Sequence, residues 1–188
     1  RPRVMNVGWV WDLPFGKRRL LFKNSRIMSA VLGGFQVNGI FKAADGLPMT
    51  ITQSRTNLVL ANQRPDAVDP TNLGGFAAEP TYGNASRRWL IPPQAPGFPF
   101  RASGNLTIGN LGRNTSRGPG FVNFNLGLIR EFRISERFRV QFRAEAYNAM
   151  NHVNFTRPAS RDINNVNYGL ITGSAAARQF QLGARLQF

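Results

Sequence analysis

Three kinds of residue in this sequence could carry chemistry: one histidine, two glutamates on neighbouring strands, and a recurring set of arginines. His152 stands in NAMNHVNF beside Asn148, Asn151 and Asn154, with no cysteine and no second histidine to complete a metal site or a nucleophile–base pair. It is expected to be a loop residue. Glu131 and Glu145 suggest an acid–base pair, but they fall near opposite ends of adjacent strands with arginine neighbours, so charge balance is their expected role. Gly118-Pro119-Gly120 has the look of a phosphate-cradling turn, yet no P-loop or GxGxxG pattern surrounds it. No catalytic residue, cofactor or metal site is expected, and the protein is not expected to be an enzyme.

The arginines have a different logic. Arg137, Arg139, Gln141, Arg143 and Glu145 occupy every second position, and Gln181 and Arg185 do the same near the C-terminus. Side chains of a β-strand point alternately to opposite sides, so each set lies on one face of a strand. The positions between them are apolar: Phe138, Val140, Phe142, Ala144 and Ala146, then Phe180, Leu182, Ala184, Leu186 and Phe188. These strands must therefore place a charged face in water and an apolar face elsewhere. The final stretch, RQFQLGARLQF, matches the ~9–11 residues a tilted strand needs to cross a bilayer. It also ends on an aromatic residue, where a soluble chain usually ends polar and frayed.

Composition narrows the classes. The chain has 188 residues and a net charge of +15, with a pI of about 11.8, which suggests an anionic partner. Absence of cysteine excludes a disulfide scaffold and a thiol nucleophile. No run of about 18 apolar residues occurs, so a membrane helix is excluded; that test is blind to barrel strands. The chain opens on Arg-Pro-Arg with no signal peptide, and is expected to be a processed or truncated piece of a longer polypeptide.

Strands are expected near 3–13, 31–43, 48–53, 121–132, 137–148 and 177–188. The first carries Met5, Val7, Trp9, Trp11 and Leu13 on one side; the second opposes Phe35, Val37 and Phe41 to Gln36, Asn38 and Lys42. Asp45-Gly46 marks a turn into 48–53. Lys17, Arg18, Arg19, Lys23 and Arg26 form a basic stretch that is either a solvated loop or a contact with lipid phosphates. Eight prolines between Ser54 and Gly120 forbid long helices or central strands, leaving an irregular segment over 54–120. Val122, Phe124, Leu126 and Leu128 then oppose Asn123, Asn125 and Gly127. Arg130 breaks the pattern on the apolar side, where snorkelling or a bulge would accommodate it.

If the last strand ends at the periplasmic side, 137–148 runs outward, 121–132 inward, 48–53 outward, 31–43 inward and 3–13 outward. The short connections 44–47 and 133–136 then share one side, and the long ones, 14–30, 54–120 and 149–172, share the other. Short turns on one side and long loops on the other are a property of bacterial outer-membrane barrels. The hairpin of 121–132 with 137–148 is expected to join residues of equal parity across an odd-numbered loop. A loop of about three residues would set Glu131 against Arg137, and one of about five would set it against Arg139 and Asn125 against Glu145.

Several stretches in this order resemble the C-terminal barrel of TonB-dependent outer-membrane transporters, in particular their Oar-like branch. They are LPFGK at 13–17, GGFQVNGI at 33–40, GLPMTI at 46–51 and GNLGRNTSRGPGFVNFNLGL at 109–128. ERFRVQFRAEAYNAMNHVNF at 136–155 and YGLITGSAAARQFQLGARLQF at 168–188 complete the set. The resemblance implies an all-β fold, an antiparallel transmembrane barrel segment with long extracellular loops; the chain is expected to depart from the family's pattern in supplying about six strands and no plug domain. The resemblance also implies energised uptake of an unknown substrate in the outer membrane. Implied partners are outer-membrane lipid and lipopolysaccharide, the rest of the barrel and its plug, the barrel-assembly machinery, and the TonB complex through an N-terminal part. Phe180, Leu182, Leu186 and Phe188 resemble the C-terminal assembly signal of such proteins. The sequons Asn84-Ala85-Ser86 and Asn154-Phe155-Thr156 carry no meaning there.

Two other functions fit the composition. One is a secreted basic β-protein that binds a polyanion; the other is a self-assembling structural β-protein whose open strand edges pair between copies. Nucleic acid is not expected as a partner, because the charge alternates with apolar residues along strands instead of gathering with aromatics on one exposed face.

Overall fold

A computed structural model describes residues 3–14, 33–54, 63–69, 71–74 and 88–188. The basic stretch holding Lys17 to Arg26, the start of the strand expected from residue 31, and the sequon at Asn84 lie outside the described residues. Nine strands are present among those described, and no helix. They are β1 Val4–Asp12, β2 Phe35–Ala44, β3 Pro48–Met49, β4 Asp66–Ala67, β5 Phe100–Arg101, β6 Ser116–Arg117, β7 Phe121–Arg133, β8 Arg139–Tyr147 and β9 Gln179–Gln187. The chain divides into two units. One comprises Val4–Ala43, Val122–Val153 and Ala176–Phe188; the other comprises Arg1–Arg3, Ala44–Phe121 and Asn154–Ala175.

The first unit is an open five-stranded sheet in the order β1-β2-β7-β8-β9. Its β7–β8 and β8–β9 ladders are antiparallel and join residues of equal parity throughout: Leu128 faces Ala144, which faces Leu182, and Phe132 faces Val140, which faces Leu186. One face is therefore continuous. It carries Leu126, Leu128 and Phe132 of β7, Val140, Phe142, Ala144 and Ala146 of β8, and Phe180, Leu182, Ala184 and Leu186 of β9. The ring of Phe124 extends this face to β2 and β1, lying 5.4 Å from Trp9 and 6.4 Å from Phe41. Arg130 sits on the same face without a bulge, its guanidinium 4.7 Å from the Phe35 ring centre and 4.1 Å from that of Phe132. Stacking on two rings keeps the cation at an apolar surface while its charge meets the negative faces of the π-systems.

The β7–β8 loop holds five residues, 134–138, between Arg133 and Arg139. Backbone N–H groups of Arg137 and Phe138 donate to Ser135 Oγ at 3.3 and 3.2 Å, while the Phe138 carbonyl accepts from Ile134. That side-chain-supported turn lengthens β7 by one residue and delays β8. Glu131 consequently faces Gln141 and not Arg139, and Glu145 faces Gly127, two positions along β7 from Asn125. Arg137 falls in the turn, so it does not join the polar face of β8.

The expected strand 48–53 is corrected. Only Pro48–Met49 pairs as a strand, with Ser116–Arg117, and it belongs to the second unit. Met49 and Ile51 alternate as a strand would, but both are buried among residues of that unit. The sheet thus has five strands, not six, and the loss of one inverts every strand before it. Phe41 meets Phe124, Asn38 lies over Gly127, and Phe35 meets Arg130; as one number falls by three the other rises by three, so β2 runs antiparallel to β7. β1 is antiparallel to β2, because Leu13 N–H donates to Phe35 O and Asp45 N–H to Arg3 O. The connections 13–34 and 134–138 leave one end of the sheet, and 45–120 and 148–178 leave the other. The expected grouping of the 14–30 connection with the long loops is therefore overturned.

The second unit supplies a core of its own. Ile51, Leu90, Phe100, Leu111, Ile163 and Tyr168 pack together, with Phe98 edge-on to both Phe100 and Tyr168. Burial pushes the Tyr168 hydroxyl pKa upward, so it stays neutral. Single bridges tie the irregular backbone, Thr52 to Asp162 and Gln53 to Gln63. A segment with prolines and no long strand is thus packed by side-chain and bridge hydrogen bonds where ladders are lacking.

Candidate functional site: the polar face of the sheet

Opposite the apolar face, the odd-numbered residues of β7, β8 and β9 meet in rows. Arg133, Arg139 and Gln187 form one row; Glu131, Gln141 and Arg185 the next; then Ile129, Arg143 and Gly183; then Gly127, Glu145 and Gln181. Arg139, Gln141, Arg143, Glu145, Gln181 and Arg185 therefore share one surface. Arg139 Nη1 lies 3.6 Å from Glu131 Oε1, a diagonal ion pair with both side chains close to half exposed. Solvent screening limits such a pair to about 0–1 kcal/mol, but it offsets the Arg133–Arg139 repulsion across the ladder.

Glu131 and Glu145 are four positions apart in ladder terms, because Glu145 pairs with Gly127. At ~3.4 Å per residue they are about 14 Å apart, too far to share a proton. Glu145 instead accepts a hydrogen bond from Tyr147 Oη at 2.9 Å. His152 is placed by its neighbours: Asn148 Oδ1 accepts from its N–H at 3.0 Å, and Asn148 Nδ2 donates to its carbonyl at 2.9 Å. Asn148 and Asn151 adopt positive φ of 50° and 52°, which asparagine tolerates better than most residues. These asparagines build a turn, and the imidazole is exposed.

A hollow of about 580 Å³ opens on this polar face, bounded by Gly8, Asn38, Asn125, Gly127, Glu145 and Tyr147 among others. Two glycines remove side chains from its floor, and Asn38 lies so close over Gly127 that any Cβ there would strike its amide. Alternation places Asn38 and Asn125 on the polar side of their strands, but the candidate set of arginines, glutamines and Glu145 on β8 and β9 does not include them. What the face can do is bind hydrated or charged groups. Among the described residues no cluster could hold a metal ion.

The apolar side tells where the sheet resides. Phe142, Phe180, Leu182, Leu186 and Phe188 are 52%, 71%, 83%, 57% and 94% exposed. A contiguous apolar surface of this kind is rare on soluble monomers, whereas hydrocarbon solvates it without cost. A sheet whose backbone is paired between strands, apolar on one side and charged on the other, defines the wall of a transmembrane β-barrel. A family described as outer membrane beta barrel domain matches residues 1–181. The chain belongs to that family and resides in the bacterial outer membrane. No curated protein and no solved structure matches it.

The two faces make opposite forecasts for labelling. In the membrane-embedded protein, Arg139→Cys, Arg143→Cys and Arg185→Cys are expected to react with a water-soluble maleimide several-fold faster than Val140→Cys, Phe142→Cys and Ala184→Cys. The reverse order would place lipid against the arginines.

Proposed function

We propose that this chain is the C-terminal barrel portion of a TonB-dependent receptor or transporter, taking part in energised uptake of a solute across the outer membrane. The observation that carries the reading is the confinement of charge: every arginine of β8 and β9 lies on the face away from lipid. Facing a water-filled interior, Arg139, Arg143 and Arg185 bias that interior toward anionic solutes or toward acidic groups of a plug. The protein works by binding and passage, without covalent chemistry. Its partners are outer-membrane lipid and lipopolysaccharide, the barrel-assembly machinery, a plug, and the energising TonB complex. The edges β1 and β9 cannot meet hydrocarbon unpaired, so further strands must flank them in the membrane.

Uptake is tested by comparing solute depletion from a rich medium by cells with and without the protein, each with and without a protonophore. Depletion of at least one solute should require both the protein and the proton gradient. Protein-dependent entry unaffected by the protonophore would make the barrel a passive pore. A self-assembling reading has one observation in its favour, the two open edges. Crosslinking β1 to β9 between copies in outer-membrane fractions would support it over the transporter.

A further inference from the structure

We propose that the second unit carries a binding site for a small, soluble, multiply charged oxyanion, held between the guanidinium groups of Arg64, Arg113 and Arg161. These side chains line a hollow of about 530 Å³ together with Thr50, Thr52 and Asn114, and no carboxylate lines it. Among the described residues none of the three arginines is in an ion pair. The neighbouring acids are turned elsewhere: Asp162 Oδ1 accepts from the N–H groups of Ser54 and Asn164, and Asp66 Oδ1 from Asn110 N–H, each at 3.0 Å. Three cations around one solvent-filled hollow repel one another, and an anion is the group that relieves this.

Their positions are set by separate pins to one framework. Arg64 Nη1 donates to the carbonyl of the buried Leu111 at 2.7 Å, and Leu111 N–H returns a bond to Pro65 O. The Arg113–Asn114 turn is clasped to Thr50, whose hydroxyl donates to Asn114 Oδ1 at 3.2 Å and accepts from Asn114 N–H at 3.1 Å. Arg161 is tied through its carbonyl to Thr52 N–H, and Thr52 O in turn accepts from Ile163 N–H. Residues about 50 and 100 positions apart in the chain thus converge with little freedom left in the backbone. Guanidinium forks on such a framework suit phosphate or carboxylate oxygens, which accept paired hydrogen bonds. Preorganisation lowers the ordering cost of binding. The inference is independent of the uptake proposal, because it concerns equilibrium binding alone.

The test is calorimetric titration of the full protein, folded in detergent micelles, with pyrophosphate and with citrate. Saturable binding of at least one is expected, weakened about tenfold or more in the double variant Arg113→Ala/Arg161→Ala. Arg64 is left intact because its bond to Leu111 supports the fold. The control Arg101→Ala/Arg157→Ala removes the same charge from exposed positions of the same unit and should keep the native affinity. An equal loss in that control would show that net charge alone attracts the anion and would overturn the site. Absence of saturable binding by both anions would overturn it too. Arg113→Lys/Arg161→Lys keeps the charge and guards against misfolding; affinity between the native and alanine proteins is expected, and native affinity would refute guanidinium pairing. Displacement of bound pyrophosphate by lipopolysaccharide micelles at equal phosphate would assign the arginines to the membrane surface and refute a soluble ligand.

Discussion

Leu182→Arg is expected to destabilise the membrane-inserted protein by about 2–4 kcal/mol, the cost of a cation facing lipid near the bilayer midplane. Gln181→Arg, one residue away, is expected to change stability by less than about 1 kcal/mol, because its side chain enters the polar row of Gly127 and Glu145. Leu182 sits near the middle of β9, pairs with Ala144, and is almost fully exposed on the apolar face. Arg130 does not weaken this expectation. Two aromatic rings flank it, whereas Leu182 faces Ala144 across the ladder, and a methyl group offers a cation nothing. Urea titration in lipid vesicles measures both variants. Equal costs at 181 and 182 would mean that the two faces meet the same solvent.

Deleting Phe188 is expected to lower the amount of folded, heat-modifiable protein in the outer membrane several-fold. Phe188 follows the last paired residue, Gln187, and extends the apolar stripe of Phe180, Leu182, Ala184 and Leu186 by one more member. It is 94% exposed, so removing it takes no core contact from the sheet. A loss of assembled protein would therefore report recognition during insertion and not weakened packing. Phe188→Tyr keeps the ring and should restore most of the level. Normal levels after the deletion would show that the ending carries no assembly information.

Which residues face lipid and which face water was legible without coordinates. Alternation is a local property with a period of two, enforced by the geometry of a single strand. Register followed from it: a one-residue slip would turn Arg139, Arg143 and Arg185 toward hydrocarbon, so only equal-parity pairing of β7 with β8 and β8 with β9 was open. The size of the hairpin loop was bounded in the same way. Its position at 134–138, and hence the pairing of Glu131 with Gln141, depended on the Ser135 hydroxyl capturing two backbone N–H groups.

Partnership over long distances was not legible. Met49 and Ile51 alternate with polar residues as β2 and β7 do, and short alternation looks the same whether lipid or protein covers the apolar side. Only the packing of Ile51 with Leu90, Phe100 and Leu111 distinguishes them. Because antiparallel neighbours alternate direction, misplacing that one segment reversed β1 and β2 and moved a long connection to the wrong end. The arginine hollow was invisible for the same physical reason. Arg64, Arg113 and Arg161 share no period and no motif, and what unites them is three sets of hydrogen bonds between distant segments. Local sterics and charge dictate which way a side chain points along its own strand. Which strands become neighbours, and which distant residues share a hollow, emerges only when the whole chain has closed its hydrogen bonds.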